Sequence, residues 1–411
     1  MHWSLYPPVI ADPDGYVSAR RRVNASPVTA LQIGNPTMGT VSREPQTTTN
    51  PSTANAPFIR LSRKSFNRGY SQAGFAFGSL VNNPIKPVGG WLRWLLLTIE
   101  ATGGTSTAAA VAAADAPWSV IQTLLLRDPL GQPVISLDGF SSYVVNIYGG
   151  QCRAPGVSDP AKLPSYVPIQ TALGAGCGDF TFKLQLPFEL DSSGYCSLSS
   201  LNAAATLSLD LQLAGAAAVY STAPTTLPTI NVTVEQAFWA APVQNASLGP
   251  PDPGASAQWT RTGGSSSIPS AANTLIASSR KGTFIHTLIG IVRDSTGARV
   301  DVFPASDLTL QLDGVPVIIE SFADRQDEMF SFTAGAARPT GVIVYTYRDS
   351  VQQMISQADT HDLDLPTTPA TLLEVGGTWG AIVNAPAQLY FVTGELFPTN
   401  NARVPWSHLA S

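Results

Sequence analysis

From residue 71 onward, apolar and polar residues alternate with a period of two through much of the chain, and the pattern predicts strands. In FTFKLQLPFEL (180–190), Phe180, Phe182, Leu184 and Leu186 alternate with Thr181, Lys183 and Gln185, and LSLDLQLAG (207–215) repeats the pattern with Leu207, Leu209, Leu211 and Leu213. Successive side chains of a strand point to opposite faces, so each run buries one face and wets the other. QAGFAFGSLV (72–81), WLRWLLLTIE (91–100), the stretch 121–148 and INVTVEQAFW (230–239) complete a first set, enough for a two-sheet sandwich. A second set of short strands follows in GTFIHTLIGIVRD, ARVDVF, DLTLQL, VPVIIESF, EMFSFTAG, GVIVYTYRD, ATLLEV and AQLYFVTGELF. SVQQMISQADTHD (350–362) is the best helix candidate, with Ser350 as N-cap and Val351, Met354 and Ile355 on one side.

The two sets share a signature. Arg127, Asp128, Gly131 and Val134 match Arg293, Asp294, Gly297 and Val300, and a Leu-Asp-Gly follows each: Leu137, Asp138, Gly139 and Leu312, Asp313, Gly314. Each Leu-Asp-Gly leads into a β-branched run, Tyr143 to Ile147 and Val315 to Ile319, read as a strand in both copies. The offset is 166 residues for the arginine and 175 for the leucine, so the second copy carries nine more residues between its signals. Asp-x-x-Gly is ordinary turn chemistry and can recur without common descent. The shared order of strand, turn, strand, Leu-Asp-Gly, strand argues instead for a duplicated domain.

The segments between the strands set the boundaries. Residues 1–70 show no sustained period and predict an extended N-terminal arm. The first sandwich is expected over 71–245, a Pro/Gly/Ser-rich linker over 246–274, the second sandwich over 275–398 and a polar tail over 399–411. The Gly/Ala-rich stretch 102–116 reads as a surface loop.

Only 12% of residues are charged while 44% are hydrophobic, which excludes disorder and implies extensive burial against partners. The net charge of −5 is unevenly spread: Arg20, Arg21, Arg22, Arg43, Arg60, Arg63, Lys64 and Arg68 face three acidic residues in 1–70, leaving the remainder strongly acidic. A basic arm before an acidic body suits a polyanion, nucleic acid or anionic lipid, or acidic neighbouring subunits; a solvated tail is the simpler alternative. Neither a signal peptide nor a spanning helix is expected.

Candidate chemistry is sparse. Cys152, Cys177 and Cys196 have no disulfide or zinc spacing and are expected as thiols; His2, His286, His361 and His408 form no metal pair. The cluster Asp359, His361, Asp362, Asp364 lacks the glycine and distal glutamate of a calcium loop and reads as a solvated helix end. Glu374 with Glu395, or Glu189 with Asp191, are formally possible glycosidase pairs of a kind any chain this long offers. Trp91, Trp94, Trp118, Trp239, Trp259 and Trp379 are scattered, which favours core or intersubunit packing over a sugar platform. No enzyme, cofactor or metal site is expected.

Two successive β-sandwiches behind a basic arm, including LQLPFELDSSGYCSLSSLNAAATLSLDLQL (184–213), resemble the double jelly-roll major capsid proteins of tailless icosahedral viruses, the tectivirus-like bacteriophages nearest. The resemblance implies an all-β fold of two tandem eight-stranded jelly rolls and a homotrimer of pseudo-sixfold outline tiling a virion shell, built up in the host cytoplasm. It implies self-contacts, minor capsid or vertex proteins as partners, and an arm (Arg20, Arg21, Arg22, Arg60, Arg63, Lys64, Arg68) on the inner side against a membrane, the genome or adjacent trimers. Loops 102–116 and 150–178 would face outward. A phage receptor-binding spike or fibre is the second reading, although no shaft repeat or coiled-coil stem is visible; a lectin-like carbohydrate-active sandwich protein is the third.

Overall fold

Period-two runs become strands whose apolar side faces inward. In the computed structural model Leu207, Leu209, Leu211 and Leu213 are buried and Ser208, Asp210 and Gln212 between them are half-buried. Burying each such leucine contributes about 1.5–3 kcal/mol. The structure describes residues 58–148, 159–190, 194–202, 204, 206–243, 248–250, 255–301, 308–320, 326, 338–346 and 365–398, all within the compact unit Ala56–Ser411.

Among the described residues, sixteen strands build the main sheets, in chain order. The first eight are β1 (Lys64–Phe75), β2 (Leu80–Ile85), β3 (Gly90–Thr102), β4 (Ile121–Arg127), β5 (Pro133–Leu137), β6 (Phe180–Pro187), β7 (Leu207–Leu213) and β8 (Thr229–Ala240). The second eight are β9 (Ala255–Ile268), β10 (Asn273–Ala277), β11 (Phe284–Arg293), β12 (Leu308–Leu312), β13 (Val315–Glu320), β14 (Val342–Thr346), β15 (Leu373–Thr378) and β16 (Ala387–Pro398). The first set pairs as β1-β8-β3-β6 and β2-β7-β4-β5; the second pairs as β9-β16-β11-β14 and β10-β15-β12-β13. Adding eight to each label of the first pair of sheets yields the second, so one jelly-roll topology occurs twice.

The rolls share a sheet. β5 runs parallel to β9, with Ile135 opposite Trp259 and Ser136 opposite Thr260, which fuses β2-β7-β4-β5 and β9-β16-β11-β14 into one continuous sheet. Since β5 and β9 are parallel, the connections that leave them emerge at the same end, and the two rolls stand with the same polarity. β11 is buried on both faces: Ile289 and Ile291 join the core of the first roll, while Ile285, Leu288 and Val292 join that of the second. A strand covered on both sides reads as a continuous apolar run, as TLIGIV does.

Four expectations are corrected. The arm does not extend to residue 70: a short helix α1 (Phe58–Leu61) and β1 occupy 58–75, because Phe58 packs on Trp91 and Trp239 and Lys64 to Phe75 pair with β8. The linker expected over 246–274 contains β9, a fourteen-residue strand paired with β16 on one side and β5 on the other; strand partners outweigh its Gly/Ser composition. The run after Leu137-Asp138-Gly139 is not a strand but helix α2 (Gly139–Tyr148). Asp138 accepts from the Ser141 N–H at 2.6 Å as an N-cap, and a Cβ at Gly139 would lie 1.9 Å from the Trp118 carbonyl oxygen. In Leu312-Asp313-Gly314 both Asp313 (φ 52°) and Gly314 (φ 78°) are left-handed, which makes the tight turn between β12 and β13.

The fourth correction concerns the alignment of the repeat. Arg127-Asp128 ends β4, the fourth strand of its roll, whereas Arg293-Asp294 ends β11, the third of its own. The matched residues are therefore not equivalent in the fold. They make the same turn: Asp128 Oδ1 accepts from the N–H groups of Leu130 and Gln132, and Asp294 Oδ1 from those of Thr296 and Ala298. Gly131 and Gly297 sit at φ 83° and 84°, and Arg127 and Arg293 each donate back to that glycine's carbonyl. The hydrogen bond from the Thr296 hydroxyl, then that from Asn384, hold the Asp294 carboxyl below its ordinary range. A lowered folded-state value stabilises the fold in full above the unfolded-state value and is lost as pH falls through the folded-state one. The gap in Tm between the parent and Asp294→Ala should therefore be widest at neutral pH and shrink in acid below the usual carboxylate range, as a calorimetric pH series would read.

Candidate functional site

Three regions of the paired rolls stand out by their side chains: a charged base, a clamped seam and a stitched crown.

At the base, α1 and the start of β1 carry Arg60, Arg63, Lys64 and Arg68 within nine residues, all exposed. Lys86, which the sequence did not single out, joins them: Gln236 donates to its carbonyl and lies opposite Asn67 of β1. Ile59 and Phe66 are exposed among these cations, Phe66 at 66%. Arg68 sits opposite Glu235. Beneath the cations is a buried polar cluster. Glu189 is ion-paired with Arg93 and accepts from Trp239 Nε1 at 3.0 Å. Arg93 and Lys64 lie 4.9 and 5.0 Å from the Trp239 ring, and Phe58 closes the cluster edge-on at 5.1 Å from Trp91. Arg20, Arg21 and Arg22 lie outside the described residues, as do the tail, Asp191, the 350–362 segment and the acidic cluster at 359–364.

At the seam, Asp115 in the β3–β4 connection of the first roll grips two arginines of the second: Oδ2 meets Arg293 at 2.6 Å and Oδ1 meets Arg299 at 2.5 Å. Both guanidiniums also lie over Phe140 of α2, Arg299 at 4.3 Å. Arg261 of β9 reaches Asp138 at 3.3 Å and stacks on Tyr390 at 4.2 Å. A pocket of about 310 Å³ opens beside the clamp, lined by Asp115, Gln122, Asp138 and Arg293 among others.

At the crown, three long connections of the first roll are sewn together. Thr105–Ser106 pairs with Gly174–Ala175, Val111–Ala112 pairs with Tyr220–Thr222, and Thr105 bridges Thr226. Asp179 accepts from the N–H groups of Gly103 and Gly104 at 3.2 and 2.8 Å. Below it, Trp118 stacks on Tyr143 at 4.4 Å and on Tyr166 at 5.7 Å. Burial first, and the Asp159 carboxylate second, push the Tyr143 and Tyr166 hydroxyls up, so both stay neutral at physiological pH. Val111, Leu173 and Leu227 are exposed on this end. The loop 102–116 is largely at the surface, as its composition predicts, but it is paired rather than free; of 150–178, only the part from Asp159 on is described.

Glu189 and Glu395 are each committed, the latter fully buried with Arg280 and with the Thr283 hydroxyl at 2.7 Å. Among the described residues no cluster of three His, Cys, Asp or Glu could hold a metal, and no helix is long and apolar enough to cross a membrane. Cys177 and Cys196 are buried, and the Cys177 thiol donates to the Ala108 carbonyl. Five of the six tryptophans singled out are buried, Trp94 being half-exposed beside Phe66.

No family model matches the chain, and no curated protein matches it. Solved structures do. The crystal structure of the STIV MCP superimposes with a TM-score of 0.58 at 14% identity, covering 85% of this chain and 99% of that one. The atomic structure of Sulfolobus Turreted Icosahedral Virus matches with a TM-score of 0.59 at 14% identity, over 85% of this chain and 95% of that one. The PBCV-1 virus capsid matches at 0.54 and 14% identity, over 82% and 95%. The chain has the double jelly-roll fold of these capsid proteins.

Proposed function

We propose that this chain is the major capsid protein of an icosahedral virus, and that three copies form a capsomer of six rolls with a hexagonal outline. The observation that carries this reading is the pair of topologically identical rolls standing with one polarity in a shared sheet. Two similar wedges per chain make six per trimer, and six pack on a hexagonal lattice with little distortion, each copy burying several faces. The fold likeness to virus capsid structures supports it. We assign the virus to the tailless icosahedral bacteriophages of tectivirus-like kind, on the sequence pattern given above.

In this reading the crown faces outward and the base inward. Arg60, Arg63, Lys64 and Arg68, joined by Lys86 and by the arm with Arg20, Arg21 and Arg22, would meet an internal membrane, the packaged genome or adjacent trimers. Such contacts between exposed charges weaken with salt. Minor capsid and vertex proteins are further partners, and the protein resides in the virion.

Electron microscopy of the full chain expressed alone tests the reading: hexagonal trimers, sheets or shells are expected, whereas elongated rods would favour a fibre and dispersed monomers would overturn it. In the same experiment Arg20→Ala, Arg21→Ala, Arg22→Ala combined should lower particle yield while trimers persist. Unchanged yield would remove the arm from assembly.

A further inference from the structure

Each roll has an outer strand at the sixth position, β6 and β14, that lacks a strand partner on one side among the described residues. In both rolls the gap is filled by a side-chain carboxamide from the same connection, the one between the fifth and sixth strands. Asn146 of α2 donates from Nδ2 to the Gln185 carbonyl at 2.8 Å and accepts at Oδ1 from the Gln185 N–H at 2.7 Å. Gln326 donates from Nε2 to the Val344 carbonyl at 2.8 Å and accepts at Oε1 from the Val344 N–H at 2.8 Å. On their inner sides Gln185 lies opposite Leu96 of β3, and Val344 opposite Ile289 of β11, the equivalent strand. Each carboxamide sets one N–H beside its oxygen against the strand, as a peptide group does, and Asn146 turns its second N–H back to the Ser142 carbonyl; it satisfies an edge without extending it.

We propose that Asn146 and Gln326 are equivalent edge guards that keep a second copy of this chain from pairing at β6 and β14, so that copies meet through faces and not through strand edges. Other groups along each edge are engaged or missing too. Thr181 exchanges two hydrogen bonds with Val167, and Pro187 has no N–H to offer. The Val342 N–H goes to Pro339, and its carbonyl accepts from Arg338. The need is in the sequence of the strands: VIVYT (342–346) has no charge, and FTFKLQLP (180–187) has one lysine, the composition that templates edge pairing. The long edge strand β1 is protected differently, by Lys64 and Arg68 and by two breaks in its register. This inference is independent of what the copies assemble into.

The test uses the full chain carrying Asn146→Leu or Gln326→Leu, which remove both hydrogen bonds at similar size, beside Asn146→Asp or Gln326→Glu, which lose the donor but place a charge at the edge. Sedimentation velocity and thioflavin fluorescence are read across a concentration series. The leucine variants should lose the parent's association state to larger, thioflavin-positive species as concentration rises, and the carboxylate variants should keep it although their Tm also falls. Leucine variants that sediment like the parent would overturn the proposal, and so would carboxylate variants that aggregate equally, since instability alone would then explain the loss. Should a leucine variant fail to fold, Asn146→Ser and Gln326→Ser, which admit water to the edge, decide between the same two outcomes.

Discussion

Glu189→Ala is expected to destabilise the protein by about 3–5 kcal/mol, since removing one partner of a buried pair strands the other charge. Arg93 is 7% exposed and Glu189 3% exposed. Both carboxylate oxygens are used, one by Arg93 and one by the Trp239 indole, so the substitution leaves a guanidinium and an indole N–H without their acceptor in a dry place. Urea unfolding followed by tryptophan fluorescence would show the lower midpoint. The double substitution Arg93→Leu with Glu189→Leu should recover the part of the loss that comes from the stranded guanidinium, leaving only the part that comes from the indole N–H without its acceptor. A double variant as unstable as the single would mean that the pair holds the base by its charge. Phe58 and Lys64 pack over the same tryptophan, so the single variant should also loosen the point where the arm enters the fold.

Trp259→Ala carries an expected loss of similar size, about 3–5 kcal/mol for deleting a fully buried tryptophan. Its effect should differ in kind. Trp259 lies on β9 opposite Ile135 of β5, belongs to the core of the first roll, and meets His286 of β11 edge-on at 5.1 Å. A cavity at this joint weakens the contact that couples the rolls. The parent is expected to unfold in one transition, and the variant should therefore broaden or split it, with Trp259→Phe intermediate. A Trp259→Ala protein that melts in one sharp transition at the parent's midpoint would show that the parallel joint does not carry the coupling.

The strands of both rolls were legible because a half-buried strand writes its burial into the chain every second residue, as at Leu207 to Leu213 and Phe180 to Leu186. α2 was not, since Tyr143, Val144, Val145 and Ile147 are residues that strands favour. The helical signal was present in Phe140, Val144, Ile147 and Tyr148, spaced for one face, and in Asp138 as N-cap. β9 was hidden by its own glycines and serines; it is a strand because β5 and β16 flank it, and no local property states that. Of the predicted basic residues, Arg60, Arg63, Lys64 and Arg68 are exposed around α1 and along β1, while Lys86 is placed near β1 by Gln236, which donates to its carbonyl and lies opposite Asn67.

The doubling itself was inferred from residues that are not equivalent. Two hairpin turns with the same Arg-Asp-x-x-Gly chemistry suggested a repeat, and the repeat exists, in a different alignment. Local hydrogen bonding by Asp128 and Asp294 is decided within a few residues, so sequence determines such turns, the alternating strands and the uneven charge on its own. Which strand lies beside which, that the rolls share a sheet with one polarity, and that Asn146 and Gln326 occupy matching edges are decided by contacts between residues far apart in the chain. Those contacts are selected by the packing of whole faces, which no single window of sequence records.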